Sequence, residues 1–174
     1  MRIIHCSQKL LKEMTDTVMD SEGIPDDNTG LGNWYSDVFK YKREKYLIFT
    51  NEQTLFSFFV YSVNKHDIET ISSLFSKKLK KYLKELVNDE ATVNRMIMEY
   101  DDLVFCKADN GTVVESMDFF IKIFESRMEF IEEITNREII IANIQVNTTP
   151  MPLLNYASPL RKIKDLIDQK YISL

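Results

Sequence analysis

Histidine, cysteine, glycine and proline are all scarce in this chain, and each scarcity excludes something. The two histidines, His5 and His66, have no second His or Cys at ligand spacing, so no metal site is expected. The two cysteines, Cys6 and Cys106, lie a hundred residues apart. That spacing offers no disulfide framework and suits a reducing cytosol. Four glycines and four prolines in 174 residues exclude collagen-like and linker-like chains. A 44% hydrophobic, 28% charged composition excludes a disordered one. No apolar run reaches the roughly 20 residues of a membrane helix, and Met1-Arg2-Ile3-Ile4-His5-Cys6 is no signal peptide, so a cytoplasmic protein without membrane contact is expected. There is no phosphate-binding G-x-x-x-x-G-K-[ST], no G-x-G-x-x-G and no G-x-S-x-G elbow, so no cofactor is expected.

What is present is enough for one domain spanning 1–174. Met1–Cys6 reads as a strand. Ser7 can cap a following helix with Leu10, Leu11, Met14 and Val18 on one face. The loop 20–32 carries three of the glycines, Pro25 and the pair Asp26-Asp27, which could bind a hard cation or simply form a solvated turn. Three aromatic and β-branched runs between Trp34 and Val63, separated by short polar corners, predict an antiparallel meander. The i, i+3, i+4 pattern predicts a helix over 67–86, and shorter patterns predict helices over 89–100 and from Thr112 onward. Leu103–Cys106 reads as a strand and 109–111 as a turn. The isoleucines of Glu138–Val146 predict an extended segment. Ser158-Pro159 opens a last helix, with serine as cap and proline at the first position. The elements mix without βαβ alternation, so the expected fold is α+β: an antiparallel-rich sheet with helices mainly on one side.

The net charge of −5 weighs against a dedicated nucleic-acid binder. Lys77, Lys78, Lys80, Lys81 and Lys84 nevertheless crowd one segment, which is either a solvated helix face or a stripe for phosphates or for an acidic protein partner. His5 and Cys6 alternate on a strand and would face opposite ways, whereas a pairing of His5 with Cys106 across the sheet stays open. Asn110-Gly111-Thr112 could present backbone N–H groups to an anion, or be a plain turn. Glu52, in Asn51-Glu52-Gln53-Thr54 beside apolar strands, is the candidate catalytic acid–base residue, since desolvation suits a carboxylate to that work. Trp34 and Tyr35 could form a stacking wall for a ligand, or the edge of the core.

Several segments together resemble a known family. They are His5-Cys6-Ser7-Gln8-Lys9-Leu10, Gly32-Asn33-Trp34-Tyr35-Ser36-Asp37 and Tyr46-Leu47-Ile48-Phe49-Thr50-Asn51-Glu52-Gln53-Thr54-Leu55-Phe56-Ser57-Phe58. Further along come Val114-Glu115-Ser116-Met117-Asp118-Phe119, Asn147-Thr148-Thr149-Pro150-Met151 and Tyr156-Ala157-Ser158-Pro159-Leu160. In order and spacing they resemble a prokaryotic domain-of-unknown-function family, numbered 6933. One departure is Glu115, where the family pattern has glycine; a close backbone approach needed there would be lost. The resemblance implies a bacterial or phage cytosolic protein and supplies no activity.

The polar residues of these segments, Asn33, Asn51, Glu52 and Asn147, fall at strand ends or turns. If those ends meet, they make a small ligand-binding cleft walled by Trp34 and Tyr35. Otherwise they satisfy backbone groups in turns. Because no familiar catalytic arrangement is found, the leading expectation is a small binding or regulatory module. A first rival is a hydrolase of nucleotides or nucleic acid, with Glu52 as base and Asn51 and Asn147 positioning substrate. A second is the partner-binding component of a toxin–antitoxin or phage-defence pair.

Overall fold

The structure is a computed structural model that describes residues 1–15, 18–19 and 30–172. Most of the loop read at 20–32, with Asp26 and Asp27, lies outside the described residues. The strands are β1 (Arg2–Cys6), β2 (Val18–Met19), β3 (Trp34–Tyr41), β4 (Glu44–Asn51), β5 (Ser57–Val60) and β6 (Leu103–Lys107). They form one sheet in the order β2-β6-β1-β3-β4-β5. The expected meander is present: β3 pairs antiparallel with β4, and β4 with β5. On the other side of β3 the pairing is parallel, β1 with β3 and with β6, and β6 with β2. The fold is therefore α+β with a mixed sheet.

The helices are α1 (Gln8–Leu11), α2 (Lys65–Glu69), α3 (Ile71–Leu86), α4 (Glu90–Met98), α5 (Gly111–Met128), α6 (Asn136–Thr148) and α7 (Pro159–Ile167). The sequence expectation of helices mainly on one side is corrected here: both faces of the sheet are covered. Strand alternation shows why. Trp34, Val38, Leu47, Phe49, Phe58 and Val60 point to one core, where α2, α3, α4 and α7 supply Ile68, Phe75, Met96 and Ile163. Tyr35, Phe39, Tyr46, Ile48 and Phe59 point to a second core, which α5 and α6 close with Phe120, Phe124, Ala142 and Val146. β3, β4 and β5 are apolar on both faces, as a sheet sandwiched between two helical layers requires. Each large side chain so buried contributes about 1.5–3 kcal/mol. The first core adds edge-on contacts of Trp34 with Phe75 (5.4 Å) and of Phe75 with Tyr100 (5.4 Å).

Three local expectations are also corrected. Glu138–Val146 is helical, not extended, within α6. Its buried residues Ile139, Ala142, Asn143, Val146 and Asn147 fall on one helical stripe, which the uniform isoleucine run concealed. The helix expected over 67–86 divides at Thr70, which serves as C-cap of α2 and N-cap of α3. α1 is a single turn, and Val18 lies in the exposed strand β2 rather than on a helix. The last helix begins as read, with the Ser158 side chain accepting from Arg161 N and Pro159 at the first position.

Candidate functional site

Two polar regions meet the sheet, and they differ in what their polar atoms are bonded to. The first is the corner formed by 31–34 and the turn after β4. The Asn51 side chain organises that turn. Its Oδ1 accepts from Thr54 N (3.1 Å) and Thr54 Oγ1 (2.8 Å), and its Nδ2 donates to Leu31 O (2.8 Å). Glu52 N donates to Asn33 O (3.1 Å), and Asn33 Oδ1 accepts from Ile3 N (3.0 Å). Trp34 Nε1 donates to Tyr100 Oη (2.9 Å), and Tyr100 donates on to Gly32 O (2.9 Å). Gly32 has φ +70, a conformation that strains any residue with a Cβ, and a Cβ there would also displace the end of the Gln53 side chain. Leu55 also takes a left-handed φ of 57, held by burial of its side chain in the second core.

The structure thus brings Asn33, Asn51 and Glu52 into one corner. Asn33 and Asn51 are buried and bonded to the backbone of neighbouring segments. Trp34 and Tyr35 do not share a wall. They are consecutive strand residues, so Trp34 enters one core and Tyr35 the other. Trp34 is 0% exposed. Asn147 is placed elsewhere, at the outer edge of β5. Its Oδ1 accepts from Ser57 N (2.8 Å), and its Nδ2 donates to Ser57 O (2.6 Å). One helical turn earlier, Asn143 Oδ1 accepts from Phe59 N (2.8 Å). The i, i+4 asparagines of α6 therefore occupy backbone positions a seventh strand would otherwise take. Glu115 is exposed on α5, so the departure from glycine meets no close backbone approach.

The second region lies at the carboxyl ends of the parallel strands β1 and β6. His5 is in register with Tyr35 on β3 and with Cys106 on β6, so the three side chains leave the same face of the sheet. The imidazole stacks on the Tyr35 ring at 4.6 Å and 19°. Tyr35 Oη donates to Asp109 Oδ1 (3.1 Å), and the same oxygen lies 3.7 Å from His5 Nδ1. The Asp109 side chain is 62% exposed above a His5 side chain that is 8% exposed. Burial, then the charges of Glu52 and Asp109, push the Tyr35 phenol well above its ordinary range, so it remains a proton donor. Behind Asp109, Asn110 caps α5: its Oδ1 accepts from Thr112 N (3.1 Å) and Thr112 Oγ1 (2.7 Å).

Of the sequence candidates, Tyr35 belongs to this cluster, and Glu52 lies within electrostatic reach of it. Asp109 is an addition that residue order did not single out, and His5, weighed there only against the cysteines, meets it through strand pairing and the loop after β6. The open question of His5 and Cys106 is answered in position: they are direct neighbours on β1 and β6. Cys106 is fully buried there, while Cys6 faces the other core and its thiol is pushed up by burial. Neither cysteine is in a disulfide. Among the described residues no group of three His, Cys, Asp or Glu could hold a metal ion, and no helix is long and apolar enough to cross a membrane.

No curated protein matches the sequence. A family model, Domain of unknown function (DUF6933), matches residues 3–162, which include both polar regions. The chain belongs to that family.

Proposed function

We propose that this protein is a small cytoplasmic binding module whose recognition centre is the cluster of His5, Tyr35 and Asp109. The observation that carries this reading is the convergence of an imidazole, a phenol and a mostly exposed carboxylate where two parallel strands end. Open sheets with parallel strands bind ligands at such ends, because the backbone there is free to present loops and helix starts. With Asp109 and Glu52 supplying negative charge and Tyr35 a hydroxyl donor, the centre suits a ligand bearing an amine, amide or hydroxyl. Buried thiols at Cys6 and Cys106, outside any disulfide, support the cytoplasmic assignment.

The test is a titration with small amine, amide and nucleotide fragments, followed by the amide resonances of the folded protein. Perturbations centred on His5, Tyr35 and Asp109 that vanish in His5→Gln and Tyr35→Phe, with melting retained, support the reading. Perturbations elsewhere, or unchanged binding in both variants, sink it.

A second reading rests on the effect of the Glu52 charge on Tyr35. In it Glu52 is the general base of a nucleotide or nucleic-acid hydrolase, and Glu52→Gln abolishes turnover while the melting temperature stays. A substrate screen with no turnover that Glu52→Gln removes would count against it.

A further inference from the structure

A groove follows the outer edge of the sheet at β5, two strands away from β3 and its Tyr35. α3 and α6 pack on opposite faces of the sheet, and their side chains meet over the edge of β5. The contact is a hydrogen bond from Asn143 Nδ2 to Tyr82 Oη (2.7 Å). Beside it lie two compartments that share Tyr82 and Ile140. One, of about 330 Å³, has Lys78 and Lys81 as its only charged lining residues among the described residues, with Tyr61 and Asn136. The other, of about 130 Å³, is lined by Phe56, Leu86, Ile144 and Leu160, with Glu85 its only charge among the described residues.

We propose that this groove binds a small anionic amphiphile, its phosphate or carboxylate head between Lys78 and Lys81 and its short apolar tail in the slot beyond Tyr82. Charge complementarity supplies the first argument. Of the five lysines on α3, Lys84 alone makes an ion pair among the described residues, with Glu90 at 2.8 Å. Lys78 is half-buried, and its ammonium is pushed down by burial, then by Lys81 and Lys77, with Asp67 the opposing charge. An anion in this compartment relieves that repulsion. The slot supplies the second argument. Ile140 and Ile144, one helical turn apart, are 44% and 57% exposed beside it, and a bound tail would cover them. Glu85 at the slot fixes polarity, turning the head toward the lysines. Asn143 and Asn147 already hold Ser57 and Phe59, which argues against an added β-strand as the occupant.

The probe is octyl phosphate below its micelle concentration, measured by calorimetry on the full chain and localised by amide resonances. Saturable binding is expected, with resonances of α3 and α6 perturbed. Affinity should rise about threefold to fourfold per methylene from butyl to octyl phosphate until the slot is full. The double variant Lys78→Gln/Lys81→Gln should lose at least tenfold, whereas Lys84→Gln should bind unchanged. Ile144→Ser, an exposed change the fold tolerates, should flatten the chain-length series. The proposal is overturned by no saturable binding, by inorganic phosphate binding as tightly as octyl phosphate, or by indifference to the lysine pair. Binding only to vesicles of anionic lipid, or only to acidic peptides, overturns it too.

Discussion

The asparagine-closed edge of β5 and the carboxyl ends of β1 and β6 are both built from polar side chains on an apolar sheet, yet their polar atoms are engaged in opposite ways. At the edge, Asn143 and Asn147 meet backbone groups of Ser57 and Phe59, and at the neighbouring corner Asn33 and Asn51 meet those of Ile3, Leu31 and Thr54. These bonds complete secondary structure that has no strand partner. At the strand ends, His5 stacks on Tyr35, Tyr35 donates to Asp109, and the Asp109 carboxylate is open to solvent. Burial with backbone partners marks a structural polar residue. Side chains that converge with one carboxylate exposed are what the proposed binding centre rests on.

That contrast can be broken by mutation. Asn147→Ala should have the largest effect, since it strands the buried Ser57 N and O together. A loss of about 2–6 kcal/mol in denaturant unfolding is expected, from roughly 1–3 kcal/mol per unsatisfied group. Asn143→Ala/Asn147→Ala should in addition aggregate through the opened edge. A stability within about 0.5 kcal/mol of the parent would show that the edge needs no closure.

The next effect is alkaline. Burial, before any charge, pushes Tyr46 and Tyr82 up to about 12 from an ordinary 10. Because the unfolded chain releases these protons first, their stabilisation is complete below pH 10 and is lost as pH rises from 10 through 12. Phenolate absorbance should therefore show late-ionising tyrosines, and Tyr82→Phe should remove one of them. If every tyrosine ionises near 10 while the fold persists, the packing at these two rings is wrong.

Smaller still is Tyr35→Phe. It removes one hydroxyl bond to a largely exposed carboxylate, for a cost of about 1 kcal/mol or less, yet the resonances of Asp109 and His5 should shift. A cost above about 3 kcal/mol would place the strand-end cluster with the structural asparagines. Glu52→Gln should change stability least, and its effect should be read on the Tyr35 phenol, which should ionise at lower pH once that negative charge is removed. A Tyr35 titration indifferent to Glu52 would separate that residue from the cluster.

Much of the scaffold was legible in residue order because its signals are local. The meander shows as three runs with polar corners, α3 as a 3.6-residue stripe, and α7 as Ser158-Pro159. Family membership is likewise carried by short segments in order. The candidate site was half legible: Tyr35 and Glu52 stand out beside a polar turn, and the Asn33 and Asn51 motifs are visible. Their division of labour was not, because it depends on which side of a strand each residue leaves. Trp34 and Tyr35 are neighbours in the chain and inhabit different cores. α6 was concealed because isoleucine favours strands intrinsically, while the stripe of Ile139, Ala142, Asn143, Val146 and Asn147 acquires its meaning only against the edge of β5.

The sequence by itself therefore determined the class of fold, most element boundaries and the family, since these follow from short-range periodicity, caps and motif order. Only the tertiary structure decided that both faces of the sheet are covered, that Asn147 closes an edge, and that His5 meets Asp109. The physical reason is range. Strand register and helix docking join residues that are 74 to 104 positions apart in the chain, and no local pattern encodes which of them will touch.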